Sequence, residues 1–502
     1  MVSTVWKRRL VYAVAAALLL AAAGCATIQE PHRGNLAAAD KTVQDCARWF
    51  KALDAAVAES GVADISARRV AGFPYLRTDR FTAAMLDSAA ADAQVRQAWI
   101  DRMRLLGADG FRVEIVNMPV SAMETLPVSG RDEAIERSLD CAERMAAADV
   151  SNVEAAALLD QRAHVDDDYS TAQRTFGLYY VTRVPFYSGI QNWHEEAIQT
   201  FAAARAGEPP RHPVMRYVPP AGHGYTRQEV VEILDRAAGE PLGIPQLSES
   251  QIDRLFATYA PVLEVETTGD FDRVGKLYWS GELAPQVDLS QPTVYRKLAY
   301  TRVGNRTLLQ LVYVVWMPER PKDGTFDMLG GTLDGIVWRV TLAPDGEPAL
   351  YDSIHPCGCF HMFFPTPRVE PVPAPAGYVE WAFAPATLPA NPDASRIIVS
   401  AQTRTHYLRN VWFVESVEGV EYAFADYDEL RTLPLPAGGS RSAFGPDGLV
   451  PGTQRSERLV FWPMGIASAG AMRQWGTHAT AFVGRRHFDD ADLIDKRYRL
   501  LF

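Results

Sequence analysis

Leu308-Leu-Gln-Leu-Val-Tyr-Val-Val-Trp316 is the segment that most clearly indicates the fold class of the second half of the chain. It is a nearly continuous run of leucine, β-branched and aromatic side chains, which is typical of a strand buried on both faces. Further along, Gly335–Leu342 and Ala349–His355 flank the turn residues Pro344-Asp-Gly346. Two such runs joined by a turn predict a β-hairpin. The sequence therefore predicts a mainly antiparallel, β-rich second half.

The first half of the chain carries helical patterns instead. In Lys41–Ser60 and again in Arg131–Ala148, apolar side chains recur every three or four residues. Asp92 is placed to cap a further helix that Gly107 would end, and Phe111–Val116 alternates as a short strand does. The predicted fold class is therefore α+β, with a helical N-terminal half followed by a mainly antiparallel β-rich C-terminal half.

Two capping boxes add helices near the middle of the chain. They are Thr226-Arg-Gln-Glu229 and Ser248-Glu-Ser-Gln251, and each precedes an apolar run at helical spacing. Pro261 would close the second of these helices, and the period changes beyond it. The predicted organisation is a signal peptide (1–24), a tether (25–40), an α-helical domain (41–262) and a β-rich domain (263–502).

Composition excludes several classes of protein. The chain has 502 residues, of which 48% are hydrophobic and 10% aromatic, so it has ample material for a core and is not intrinsically disordered. The 61 acidic residues outnumber the 50 basic ones, for a net charge of −11, and no stretch concentrates basic residues enough to bind nucleic acid. A single segment, at the N-terminus, is apolar enough to meet a bilayer, which excludes a multi-span membrane protein.

The N-terminus has the pattern of an export signal. Basic residues at positions 7–9 precede the apolar run Leu10–Ala23, which is shorter than the roughly 20 residues that span a bilayer. The run ends in Ala22-Ala-Gly-Cys25, which resembles the lipobox of bacterial lipoproteins, although the family usually has leucine at the position of Ala22. The resemblance implies that Cys25 becomes the lipidated first residue of the mature chain. Cleavage by the ordinary signal peptidase is the alternative.

The resemblance also implies a location. In that family, a residue other than aspartate after the lipidated cysteine directs the protein to the outer membrane, and Ala26 stands there. Several acyl chains on one residue would anchor the chain stably. We therefore expect an outer-membrane lipoprotein that faces the periplasm. We expect the protein to bind the membrane through the lipid anchor. The sequence does not identify a protein or small-molecule partner.

Export makes a disulfide plausible for the cysteines of the helical half. With Cys25 lipidated, four cysteines remain in an oxidising compartment. Cys46 and Cys141 lie in two of the predicted helices, and two helices of one bundle could place them side by side. A disulfide between them is the favoured interpretation, and two buried free thiols are the alternative.

The segment His355-Pro-Cys357-Gly-Cys359-Phe-His361 concentrates side chains that can bind metal. In a straight strand its ends would be spread by about 20 Å, whereas metal–ligand bonds are about 2.0–2.3 Å long. One ion could therefore be shared only if the chain bends, which Pro356 and Gly358 allow. The predicted site is a zinc or copper centre on the two histidines and two cysteines, with His406 and His478 as possible additional ligands.

Two other interpretations of this segment stay open. In one, Cys357 and Cys359 form a small, strained and redox-active disulfide around Gly358. In the other, they form an inert local bridge, and the histidines are ordinary buried or surface residues.

The leading functional hypothesis is a ligand- or partner-binding envelope lipoprotein with a structural His/Cys centre at residues 355–361. One alternative is a metal-dependent, hydrolase-like enzyme in which zinc activates water. The other is a thiol–disulfide oxidoreductase that uses Cys357 and Cys359. Whether the protein is an enzyme is left open.

Overall fold

The fold is described by a computed structural model of residues 40–502, except residues 151, 223, 282, 325, 393 and 394. The predicted signal peptide, Cys25 and the tether up to residue 39 lie outside the described residues. The helices are α1 (Lys41–Ser60), α2 (Arg80–Ala83), α3 (Leu86–Ala91), α4 (Ala93–Asn117), α5 (Val120–Met123), α6 (Arg131–Val150), α7 (Val153–Arg162), α8 (Thr171–Phe176), α9 (Tyr179–Arg205), α10 (Arg227–Ala238), α11 (Glu249–Tyr259) and α12 (Arg458–Phe461).

The strands are concentrated in the second half. They are β1 (Arg68–Val70), β2 (Phe73–Thr78), β3 (Val214–Val218), β4 (Val262–Glu266), β5 (Lys276–Tyr278), β6 (Gln286–Asp288), β7 (Thr293–Val303), β8 (Arg306–Arg320), β9 (Gly331–Leu342), β10 (Pro348–Ile354), β11 (Met362–Pro365), β12 (Val369–Pro371), β13 (Arg396–Ala401), β14 (Leu408–Val414), β15 (Val420–Glu421), β16 (Ala423–Asp426), β17 (Leu433–Pro434), β18 (Ser440–Arg441) and β19 (Tyr498–Leu500). The predicted α+β class is confirmed.

Two sheets organise the second half. The larger has the order β11-β10-β9-β8-β7-β16 and is antiparallel except for the β7–β16 pair. The other has the order β14-β13-β4-β3-β15 and is mixed, because β13 runs parallel to β4 and β15 runs parallel to β3. The second sheet therefore takes strands from both sides of residue 262.

Strand β8 is buried on both faces, as its sequence predicts. The odd-numbered side chains from Leu309 to Met317 pack in a core that also holds Leu263 of β4 and Val399 of β13, so this core lies between the two sheets. Val312, Val314 and Trp316 point to the opposite face, into a second core. Alternation between two apolar layers explains why the whole run is hydrophobic.

The predicted hairpin and capping boxes are confirmed. Strands β9 and β10 pair antiparallel around a turn in which Gly346 has φ of +75°. The side chains of Thr226 and Glu229 each hydrogen-bond to the other residue's backbone at the start of α10, and Ser248 and Gln251 do the same at the start of α11. These features depend on local backbone chemistry, which is why the sequence predicts them.

The predicted end of a helix at Gly107 and the predicted strand at Phe111–Val116 are wrong. Helix α4 begins after its cap Asp92 and continues to Asn117. A β-carbon on Gly107 would collide with the carbonyl oxygen of Tyr75 in β2, and one on Gly110 would collide with the guanidinium of Arg77. The glycines let β2 approach the helix closely and do not terminate it.

The helical half has its own core. Cys46 on α1 and Cys141 on α6 form a disulfide across that core, with their α-carbons 5.1 Å apart.

Among the helices of the described residues, none combines the length and apolar character that crossing a membrane requires.

Candidate functional site

The segment between β10 and β11 turns sharply and does not continue as a strand. The N–H of His355 donates to the carbonyl oxygen of Cys359 at 3.0 Å, and the N–H of Gly358 donates to the carbonyl oxygen of His355 at 2.8 Å. Gly358 has φ of +90°, and a β-carbon there would lie 2.6 Å from the carbonyl oxygen of Ala479. Glycine is therefore required both by the backbone conformation and by the close approach of the neighbouring segment.

The turn brings the two cysteine sulfurs together as free thiols. Cys357 is 2% exposed and Cys359 is 9% exposed. The two thiols interact with each other, and this interaction lowers the pKa of Cys357. The same interaction, together with burial, raises the pKa of Cys359 well above its ordinary value. Cys357 is thus the more acidic thiol of the pair.

Charged groups surround the thiol pair on the side of residues 455–473. The Nε of Arg473 donates to the carbonyl oxygen of Cys357 at 3.1 Å, and its backbone N–H donates to the carbonyl oxygen of Pro356 at 2.9 Å. The carboxylate of Glu457 occupies the space that a β-carbon of Gly470 would need. Burial raises the pKa of Glu457 to about 7. The turn is therefore fixed by an arginine and lies near a carboxyl that titrates around neutral pH.

A small cleft reaches the two cysteines. Its volume of about 20 Å³ is enough for about one water molecule. Its walls come from the cysteine turn, from residues 466–470, from residues 479–482 and from one glutamate: Cys357, Gly358, Cys359, Phe360, Glu380, Ile466, Ala469, Gly470, Ala479, Thr480, Ala481 and Phe482.

His355 belongs to a buried series of alternating histidines and aspartates. Its Nδ1 lies 3.1 Å from Oδ1 of Asp334 on β9, and Oδ2 of the same carboxylate lies 3.0 Å from Nδ1 of His406. On its other side, Nε2 of His406 lies 3.3 Å from Oδ1 of Asp272. The series therefore runs Asp272, His406, Asp334, His355 and ends at the cysteine turn.

The electrostatics of this series give each member a defined charge. Burial would raise the pKa of Asp334, but the two histidines and Arg455 outweigh it and hold this pKa well below its usual value. Burial would lower the pKa of His406, yet the nearby carboxylate of Asp272 and the hydrogen bond to Asp334 raise it. For His355, burial prevails and the pKa is lowered. Of the two histidines, His406, which lies between two carboxylates, is therefore the one that holds a proton more readily.

His361 is directed to a different carboxylate. Its Nε2 lies 3.0 Å from Oδ2 of Asp352 on β10, and Asp352 is paired with Arg339, its direct neighbour on β9. Burial lowers the pKa of His361 to about 3. His478 is also buried, and burial followed by the charge of Arg473 lowers its pKa to about 3. Both histidines are therefore neutral at physiological pH.

The six residues predicted for a metal site are thus divided among separate partners. The cysteines interact with each other, His355 and His406 share Asp334, His361 hydrogen-bonds to Asp352, and His478 lies behind the turn. Within residues 40–502, apart from the six positions left undescribed, no group of three or more His, Cys, Asp or Glu side chains is arranged to hold one metal ion. The zinc or copper centre stays a prediction.

Comparison of the chain with protein-family models, curated proteins and solved structures finds no match.

Several residues of the site are not singled out by motif reasoning. Asp334, Arg339 and Asp352 are fully or almost fully buried charges within strands whose neighbours are apolar. A charge inside such a strand is a usable signal, because buried charges need partners. Glu457 and Arg473 carry no such signal, since they lie in irregular segments whose path the sequence does not specify.

Proposed function

We propose that the protein is an envelope lipoprotein whose Cys357–Cys359 pair is a redox-active dithiol. The observation that carries the proposal is that two buried free thiols line the same cleft on a tight turn that is fixed on both sides. Two thiols on one such turn can form a disulfide with little movement of the backbone. Of the interpretations open at the sequence level, the redox pair is the one that this geometry supports best.

The proposed reaction is reversible thiol–disulfide exchange. Cys357, the more acidic thiol, attacks a sulfur of an external disulfide and releases one thiol from it. Cys359 then attacks Cys357 and releases the second thiol. The chain loses two electrons and two protons and gains one sulfur–sulfur bond, while the external disulfide becomes two thiols. A dithiol reductant reverses both steps.

The surrounding residues support the proposed chemistry. The Arg473 side chain holds the backbone of Cys357, and the charge of Arg455 lowers the pKa of the Cys357 thiol. The proposed lipid anchor at Cys25 would place this pair in the periplasm, at the outer membrane, where small disulfides and thiol reductants are both plausible reactants.

A redox titration of the full chain tests the proposal. The protein is equilibrated with mixtures of reduced and oxidised dithiothreitol, alkylated, and its free thiols are counted by mass. We expect a transition between two free thiols and none at Cys357 and Cys359, while the Cys46–Cys141 disulfide persists throughout. Cys357→Ser and Cys359→Ser should each abolish the transition.

Elemental analysis of the same sample separates the remaining hypotheses. About one zinc or copper ion per chain, lost in Cys357→Ser and protecting the thiols from alkylation, would overturn the redox proposal in favour of the metal centre. A pair that stays reduced in every mixture, without metal, would also overturn it. That result would leave the binding protein as the best hypothesis.

A further inference from the structure

The cleft beside the two cysteines limits which oxidant can reach them. Its free volume of about 20 Å³ accommodates a molecule little larger than water. Cys357 and Cys359 both line this space, and they are 2% and 9% exposed. The disulfide of another protein would have to bring a sulfur and its flanking backbone into this volume. A very small oxidant meets no such obstacle.

The two sulfurs are the reactive atoms of the cleft, because the polar groups of its walls are already hydrogen-bonded. Glu380 accepts hydrogen bonds from the N–H groups of Phe482 and Val483, and it also pairs with Arg486. The hydroxyl of Thr480 accepts a hydrogen bond from Arg486. Apart from these engaged groups, the side chains of the walls are apolar: Phe360, Ile466, Ala469, Ala479, Ala481 and Phe482. The cleft thus combines a dithiol with a small volume and largely apolar walls.

We propose that hydrogen peroxide is the oxidant that reacts fastest with the Cys357–Cys359 pair, selected by size over bulkier hydroperoxides, whereas disulfides exchange with the pair only slowly. This inference rests on the proposed redox function of the pair. Hydrogen peroxide has two heavy atoms and its reactive bond lies between them, so it can react without bringing any further group into the cleft.

The reaction balances with hydrogen peroxide as the sole oxidant. The sulfur of Cys357 attacks one peroxide oxygen, a sulfur–oxygen bond forms, and the oxygen–oxygen bond breaks. The departing oxygen takes the thiol proton and leaves as water, so that Cys357 becomes a sulfenic acid. Cys359 then attacks the Cys357 sulfur, the disulfide forms, and the hydroxyl leaves with the Cys359 proton as a second water. A dithiol in solution, such as dithiothreitol, restores the pair.

The test measures the selectivity for size. The reduced full chain is mixed with hydrogen peroxide or with tert-butyl hydroperoxide, and the loss of free thiols at Cys357 and Cys359 is followed by alkylation and mass. N-acetylcysteine gives the intrinsic ratio of the two rates. We expect the ratio for the protein to favour hydrogen peroxide by at least about tenfold more than this reference, because a misplaced oxidant cannot reach the sulfur in line.

Two matched variants make the entrance itself testable. Phe482 lines the cleft, whereas Phe186 packs in the same aromatic cluster without lining it. Phe482→Ala should bring the rate ratio close to that of N-acetylcysteine, and Phe186→Ala should leave it unchanged.

The outcomes separate this inference from the function on which it rests. If the pair forms a disulfide in dithiothreitol mixtures but shows the N-acetylcysteine ratio with the two peroxides, the selection of hydrogen peroxide is overturned and the redox function stands. If no oxidant forms the disulfide, both fall. Selectivity that survives Phe482→Ala would overturn the assignment of the cleft as the entrance.

Discussion

Nδ1 of His406 lies 3.0 Å from Oδ2 of Asp334, and both side chains are fully buried. The other oxygen of the same carboxylate lies 3.1 Å from Nδ1 of His355, at the start of the cysteine turn. Asp334 therefore connects strand β9 to the segment before β14 and to the turn that carries the thiols. A carboxylate in this position holds the turn in place through one charged group.

Replacing Asp334 should destabilise the fold strongly. Asp334→Asn keeps the shape but removes the charge and places an amide N–H₂ against one of the two histidines. We expect a loss of about 3–5 kcal/mol in the free energy of unfolding, because a buried pair loses one partner while the other stays buried. Urea unfolding of the full chain measures it.

The control for this variant is Asp101→Asn. Asp101 pairs with Arg104 on the exposed side of α4, where both side chains are well solvated. Its replacement should change the free energy of unfolding by less than about 1 kcal/mol. If Asp334→Asn behaved like this control, the charge of Asp334 would have no part in holding the turn.

Glu457 should make stability fall between mildly acidic and neutral pH. Burial raises its pKa from 4.5 to about 7, against the charges of Arg455 and Arg320, while Asp334 and Asp327 raise it further. A raised pKa means that the folded chain holds the proton more tightly than the unfolded chain. The contribution of Glu457 to the free energy of unfolding is thus complete below about pH 4.5. It is lost as the pH rises towards about 7, and the loss amounts to up to about 3 kcal/mol.

Glu457→Gln isolates this effect. Glutamine has no proton to lose, so the difference in stability between the variant and the natural chain should grow in favour of the variant from pH 5 to pH 7.5. The free energy of unfolding at both values gives this difference. The exposed Glu143, changed to Gln, serves as the control and should show no such trend. Parallel curves for Glu457→Gln and the natural chain would contradict the assignment.

The disulfide between α1 and α6 should contribute substantially to the stability of the helical half. It closes a sequence separation of 95 residues, for which the chain-entropy model gives about 4–5 kcal/mol. We therefore expect similar losses in the free energy of unfolding for Cys46→Ser, Cys141→Ser and the double variant. Thermal unfolding followed by far-UV circular dichroism measures the three. Unequal single variants, with a double variant close to the milder one, would show that a lone thiol and not the lost bridge causes the damage.

What the sequence predicts well in this chain is local. Strand β8, the β9–β10 hairpin and the two capping boxes depend on residue spacing and on turn chemistry within a few positions. Helix α4 shows the limit, because Gly107 has the sequence pattern of a helix end. In the structure, Gly107 packs against the carbonyl oxygen of Tyr75, which lies some thirty residues earlier in the chain. A tertiary contact of this kind leaves no local signal.

The same limit applies to the site. Cys357 and Cys359 are separated by a single residue in the sequence, so their pairing could be considered from spacing alone. His355 and His406 share Asp334 only because β9 and the segment before β14 meet in space, across 72 residues in the case of His406. The cleft walls at residues 466–482 come from an irregular segment. Hydrophobic periodicity does not predict the course of the backbone in such a segment.

The anchor at Cys25 gives the last prediction, which concerns where the mature chain begins. If the resemblance of Ala22-Ala-Gly-Cys25 to a lipobox is functional, cells that make the full chain should incorporate labelled fatty acid into it, and its mature N-terminus should be the modified Cys25. Cys25→Ala should abolish the label and release the protein from the membrane fraction, because each buried methylene of the acyl chains contributes about 0.8 kcal/mol to membrane binding. Cys46→Ser, which removes a cysteine of the folded body, should retain both label and membrane association. A mature chain that begins at another residue and carries no fatty acid would contradict the anchor, and it would favour cleavage by the ordinary signal peptidase.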